Sequence, residues 1–204
     1  MIAGIDEAGR GPVIGPMVIC GILLEENDLE RLRLGGVRDS KLLTPKRRQA
    51  LADFIKTVAR KHLLLHVSPL EIDAAENLNE LEAMKFAEII NSLKPSAAFV
   101  DSTDPNPSLF RERLLRYLKV RPRLVVENFA DRKYVQVAAA SILAKVERDA
   151  QIERLRREHG DFGSGYPADP KTRDFLKRWI EEKGDLPPFV RKSWETIKKL
   201  KSSP

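Results

Sequence analysis

Apolar positions along the chain follow two periods. Met1–Ala8 and Val13–Leu24 are near-continuous apolar runs rich in β-branched residues, parted by the turn cluster Gly9-Arg10-Gly11-Pro12, and they predict paired strands. Thr44-Pro45 then reads as a helix start, Thr as N-cap and Pro in the first turn. The helix it opens runs from Pro45 to about Lys61, with Leu51, Phe54, Ile55 and Val58 on one face. Leu63–Val67 is a short strand. Asn77 or Asn79 caps a helix that ends near Leu93, before Lys94-Pro95, and Ala97–Asp101 is a buried-type strand ending in a carboxylate. A helix from Pro107 to about Leu118 and a strand at Leu124–Glu127 follow. A long Ala-rich helix spans Tyr134–Glu158 and stops at His159-Gly160, and two further helices lie at 171–183 and about 188–200. Strands alternating with helices argue for an α/β protein. The opening hairpin makes the sheet mixed, and the helical end after Gly160 forms a small subdomain.

Composition narrows the class. The 204 residues are 42% hydrophobic and 32% charged, too apolar for a disordered chain and above the usual ~25% charged. The single cysteine, Cys20, excludes a disulfide framework and a multi-Cys zinc site. No run approaches ~18 charge-free apolar residues, so neither a signal peptide nor a membrane span is expected, and a cytoplasmic protein is. The net charge of +6 is unevenly placed. Residues 1–102 hold 13 Lys and Arg against 15 Asp and Glu, whereas residues 103–204 hold 23 against 15. A basic half of this kind concentrates polyanions such as nucleic acid; surface ion-pair networks of a thermophile are the other reading.

The acidic residues carry the candidate chemistry. Asp6-Glu7 interrupts an apolar strand, where an ionised pair is costly unless it meets water or a cation. Neighbouring strand residues face opposite ways, so both serve one site only near a strand end or bend. Asp101 closes a second apolar strand, at the edge where α/β proteins build their sites, or it is a turn residue. Asp131 follows a third strand and opens the long helix, as a ligand or as an N-terminal cap, with Glu127 close by. Four such carboxylates suit Mg²⁺ or Mn²⁺ rather than zinc, and a pair of those ions suits phosphoryl transfer. His62, His66 and His159 form no ligand cluster. Gly9-Arg10-Gly11 suits close approach of a phosphate or sugar hydroxyl, Lys41 a phosphate, and Tyr166 a sugar or base, while Ser141, Lys145 and Arg148 share one helix face.

These segments together resemble type 2 ribonuclease H, the ribonuclease HII family, and its archaeal members in particular. The matching strings are Gly4-Ile-Asp-Glu-Ala-Gly-Arg-Gly-Pro12, Asp39-Ser-Lys41, Val100-Asp-Ser102, Ala130-Asp131, Ala138-Ala-Ala-Ser-Ile-Leu-Ala-Lys145 with Arg148-Asp149, and Gly163-Ser-Gly-Tyr-Pro167. The resemblance implies a ribonuclease H-like mixed β-sheet flanked by helices, with a catalytic domain at 1–160 and a helical C-terminal extension at 161–204 packed on it. It implies an endonuclease that cuts the RNA strand of RNA–DNA hybrids, and single ribonucleotides in duplex DNA, with two Mg²⁺ or Mn²⁺ ions. By matching position, Asp6, Glu7, Asp101 and Asp131 look like the catalytic metal-binding carboxylates, with Asp131 favoured over Glu127. Gly9, Arg10 and Gly11 correspond to the element that senses the ribose 2′-hydroxyl, Tyr166 to the tyrosine on the adjacent sugar, and Lys41, Ser141 and Lys145 to phosphate contacts. The family's archaeal members often bind the sliding clamp through a glutamine-led C-terminal motif ending in aromatics, which Lys198–Pro204 lacks, so the clamp stays open as a partner. Family analogy suggests a monomer with no membrane partner. Another nuclease or strand transferase of the same fold group, or a non-catalytic nucleic-acid-binding protein, are the alternatives.

Overall fold

The computed structural model describes residues 1–38 and 43–202. In chain order its elements are β1 (Ile2–Ala8), β2 (Met17–Leu24), α1 (Asp28–Leu34), α2 (Pro45–Val58), β3 (Lys61–Val67), α3 (Pro69–Ala74), α4 (Leu78–Leu93), β4 (Ala97–Asp101), α5 (Pro107–Tyr117), β5 (Arg123–Glu127), α6 (Ala130–Lys133), α7 (Val135–His159), α8 (Pro170–Lys183) and α9 (Glu195–Ser202). They divide into two compact units. The first comprises Met1–Ala8, Val18–Leu65 and Asn77–Glu147, and the second Gly9–Met17, His66–Glu76 and Arg148–Pro204. No described helix is long and apolar enough to cross a membrane.

The first unit is built on a mixed five-stranded sheet of order β3-β2-β1-β4-β5. β1 pairs antiparallel with β2 and parallel with β4, and β4 pairs parallel with β5. Helices cover both faces. Ile2, Ala8, Cys20 and Ile22 share a core with Ile55 of α2 and Ala138, Ile142 and Leu143 of α7. On the other face α4 meets the sheet at Gly21, where a side chain would collide with Ile89. Phe86 of α4 packs edge-on against Phe110 of α5, ring centres 5.5 Å apart. Gly4 is the closest approach of sheet and helix: a Cβ there would lie 2.1 Å from the Gln136 carbonyl oxygen at the start of α7.

The second unit has an aromatic core of its own. Val13, Ile14, Ile152, Phe162, Phe175, Leu176, Phe189 and Val190 are buried together. His159 stacks on Phe189 at 4.5 Å and meets Trp179 edge-on, half-buried at the margin of this core. The helical end beyond Gly160 shares this unit with residues 9–17 and 66–76.

Several boundaries differ from the sequence reading. Val13–Leu24 is not one strand: Gly15 takes φ +86 ahead of Pro16, β2 starts at Met17, and Val13 and Ile14 leave to bond Gly165 and bridge Val190. The apolar run hid this break because both pieces are buried. α2 stops at Val58 rather than Lys61, and the last helix starts at Glu195 rather than about 188. α1, α3 and α6 were unforeseen. α3 carried a legible signal, the capping box of Ser68 and Glu71.

Substituting Gly4 by Ala forces the β1 and α7 backbones apart. We expect destabilisation at or above the ~3 kcal/mol upper end of overpacking costs, read as a lowered denaturant midpoint with unchanged slope.

Candidate active site

Strand register alone gathers acids. Ile5 pairs with Val100, so Asp6 comes level with Asp101, and Asp101 pairs with Glu127 on the next strand. Alternation sends all three toward the α7 face, the face of Ile2, Ala8 and Phe99. Glu7 begins on the opposite face, but it is the penultimate residue of β1 and still reaches the group. Ligand-capable oxygens of Asp6, Glu7 and Asp101 all lie within 4.8 Å of one another.

Asp6 is the buried member, 3% exposed. One of its oxygens accepts the Glu7 N–H at 2.7 Å. Burial pushes its carboxyl well above the ordinary carboxylate range, and the charges of Glu7 and Asp101 push the same way, while a hydrogen bond with Ser141 of α7 opposes them. Three hard oxygen donors in mutual repulsion fit a divalent cation of the Mg²⁺ or Mn²⁺ kind.

Asp101 also organises the third strand end. Its Oδ1 accepts the Ala130 N–H at 2.7 Å, capping α6, whose N-cap Phe129 sits in the left-handed region and offers no side-chain cap. Asp131, the next residue, is buried at 4% exposure in the first turn of α6. Glu127 is engaged otherwise: Lys133 and Tyr134 donate to its carboxylate, the latter at 2.8 Å, and both bonds hold its pKa below the ordinary value. Among the described residues the tight oxygen group therefore comprises Asp6, Glu7 and Asp101, with Asp131 tied to it through the α6 turn. Ser141 is buried against Asp6, and Lys145 lies half-buried one turn further along α7. Lys41 lies outside the described residues. A cleft of about 650 Å³ beside Asp131 is lined by Arg33, Arg38, Arg132 and Lys133, a setting for anionic backbone.

The second unit holds the glycine turn and the tyrosine. Gly9 has φ +87, and a Cβ there would meet the Pro16 carbonyl oxygen at 3.0 Å and Arg148 Cγ at 3.1 Å. A Cβ on Gly11 would sit 3.4 Å from the ring of Tyr166, so the ring stands directly over that glycine, 47% exposed. Two residues unforeseen from sequence shape the Tyr166 loop. Asp169 caps α8 and accepts the Ser164 N–H at 2.6 Å, bonds that draw its pKa down to about 2. Buried Thr172 accepts the Gly165 N–H and donates to the Phe162 carbonyl. The signal was the Asp169-Pro170 helix start, which doubles here as a loop clamp.

A mixed sheet flanked by helices, with carboxylates crowded at its strand ends, is the architecture of a ribonuclease H-like nuclease, and comparison with known proteins makes this specific. The sequence profile described as Ribonuclease HII matches residues 3–197. Ribonuclease HII of Pyrococcus furiosus is 46% identical over 99% of this chain and 92% of that protein. The crystal structure of ribonuclease H2 from Pyrococcus horikoshii superposes with a TM-score of 0.93 at 46% identity, covering 98% of this chain and 96% of that one. Ribonuclease HII of Archaeoglobus fulgidus, solved in complex with PCNA, superposes with a TM-score of 0.89 at 46% identity, covering 100% and 98%. The chain belongs to the ribonuclease HII family, and it is an endonuclease that hydrolyses phosphodiester bonds.

Because the folded-state pKa of Asp6 is raised, its ionisation destabilises the fold once pH exceeds the ordinary carboxylate range, and the penalty vanishes below it. With chelator present, Asp6→Asn should therefore melt higher than the wild type at pH 7, about 2–4 °C for each 1 kcal/mol recovered. The difference should close as pH falls toward the unperturbed aspartate pKa; thermal melts across pH read it.

Proposed function

We propose that this endonuclease cuts the RNA strand of RNA–DNA hybrids, and single ribonucleotides embedded in duplex DNA, leaving 5′-phosphate and 3′-hydroxyl ends. The observation that carries the reading is the convergence of Asp6, Glu7 and Asp101 within 4.8 Å, in a family named for ribonuclease HII. Asp6, Glu7, Asp101 and Asp131 would hold two Mg²⁺ or Mn²⁺ ions. Such ions, when bound, acidify a water and neutralise charge at the phosphate and the leaving oxygen.

The residues of the chain supply the rest. Ser141 orients Asp6, and the Ala130 N–H orients Asp101, so the acids present fixed oxygens to the ions. Gly9, Arg10 and Gly11 meet the ribose 2′-hydroxyl with backbone amides, and Tyr166 packs on the neighbouring sugar. Lys41, Lys145 and the basic cleft beside Asp131 take backbone phosphates, which gives affinity without base sequence preference. The complex of the A. fulgidus relative with PCNA supports a sliding clamp as the protein partner.

The deciding experiment incubates the protein with DNA duplexes carrying one ribonucleotide, four, or none, with and without chelator. Cleavage of the first two alone, abolished by chelator, is expected; cutting of the all-DNA duplex overturns the reading. Asp101→Asn keeps the Ala130 contact, so it should fold normally while turnover falls by about a thousandfold or more. Near-wild-type turnover of that variant excludes the assignment. Divalent ion should raise the melting temperature of the wild type and do so less for Asp101→Asn, a readout independent of activity. Tyr166→Ala should lower kcat far more than duplex affinity, as steady-state kinetics beside a binding titration will show.

A further inference from the structure

The Gly9-Arg10-Gly11 turn is held from a place the sequence does not mark. Residues 13–15 and 189–191 form a short antiparallel contact: Ile14 bridges Val190, the Arg191 N–H donates to the Val13 carbonyl at 2.9 Å, and the Gly15 N–H to that of Phe189 at 2.8 Å. This buries Arg191 completely, at 0% exposure. Its guanidinium donates from Nη2 to the Gly9 carbonyl at 2.6 Å, from Nη1 to that of Arg10 at 2.7 Å, and from Nε to that of Gly15 at 3.1 Å. The indole of Trp194 lies 5.0 Å from the guanidinium carbon, and its Nε1–H donates to the Gly11 carbonyl at 3.1 Å. Asp73 of α3 fixes the intervening turn, accepting from Lys192 N, Ser193 N and Ser193 Oγ.

All three carbonyls of the turn are thus spoken for by two side chains. A trans peptide directs its N–H opposite to its C=O. Anchoring the Gly9 and Arg10 carbonyls therefore turns the amides of Arg10 and Gly11 away from Arg191, and Pro12, which follows, has no N–H. A fully buried guanidinium is tolerated only with its donors satisfied, and its rigid fork accepts one arrangement of acceptors. The same bonds that satisfy Arg191 thereby fix the direction of the amides.

We propose that Arg191 and Trp194 are positioning residues that set the ribose selectivity of the Gly9-Arg10-Gly11 turn. The proposal rests on the reading of that turn as the ribose-contacting element. Neither side chain touches substrate; each acts through a carbonyl of the turn. Displacement of a reacting group by about 1 Å costs on the order of a hundredfold in rate, so loss of one anchor is a kinetic event before it is a folding event.

Trp194→Phe keeps a ring over the guanidinium and removes only the Nε1–H donor; Arg191→Lys keeps the charge and loses the fork. On a duplex with one ribonucleotide we expect Trp194→Phe to lose about tenfold in kcat, with KM rising no further than the binding preference for the ribonucleotide is lost, and Arg191→Lys to lose more. Binding under chelator supplies the second readout. The preference for the ribonucleotide duplex over the all-DNA duplex should narrow toward unity in both variants, while affinity for all-DNA duplex holds. Wild-type kcat in Trp194→Phe, a loss confined to KM, or equal loss of affinity for both duplexes overturns the proposal, the last by showing a merely structural role. If Arg191→Lys does not fold, Trp194→Phe decides alone. A wild-type protein that leaves the ribonucleotide duplex intact defeats the activity reading itself, and this inference with it, an outcome distinct from the others.

Discussion

Repulsion among the carboxylates of Asp6, Glu7 and Asp101 is the constraint around which the first unit is organised. A sheet with two parallel pairings brings strand ends level, and acids placed at those ends cannot avoid one another. Burial of Asp6 sharpens the conflict by removing the water that would screen it. The fold tolerates the cluster in part because two of the acids have a neighbour that needs them: Ser141 for Asp6, and the opening N–H of α6 for Asp101. Apo-protein stability is sacrificed locally, and the oxygens are left assembled as a divalent cation would need them.

Much of this was legible in the sequence, and the reasons differ by residue. Asp6-Glu7 stood out because charge inside an apolar strand is rarely structural. Asp101 stood out because it ended one, and the strands and long helices were set by plain periodicity. What stayed hidden depended on how the folded chain pairs its side chains. Nothing near Glu127 announces that Lys133 and Tyr134 occupy it, which is why it rivalled Asp131 from sequence. Ser141 looked like one of three polar residues on a helix face, yet it is buried against Asp6, because Gly4 lets α7 settle onto the sheet. The break at Gly15 was masked by its apolar surroundings.

The two units use glycine and charge differently. In the first, Gly4 and Gly21 remove side chains so that helices approach the sheet, and the acids occupy the strand ends. In the second, glycines at positive φ shape two loops, and buried polar side chains, Thr172 and Arg191, hold the backbone in place. The clustered acids thus sit on regular strands, whereas the glycine loops of the second unit are braced by side chains.

The bond from Arg191 to the Gly9 carbonyl joins residues 182 positions apart. A ribosome delivers the glycine turn long before its brace. Until residues 191–194 emerge, the turn lacks the side chains that bond its carbonyls, whatever the early strands have already formed. A nascent or C-terminally truncated chain would therefore carry the acids of β1 and β4 without a shaped turn beside them in sequence. On the reading proposed above, discrimination between sugars waits for residues 191–194.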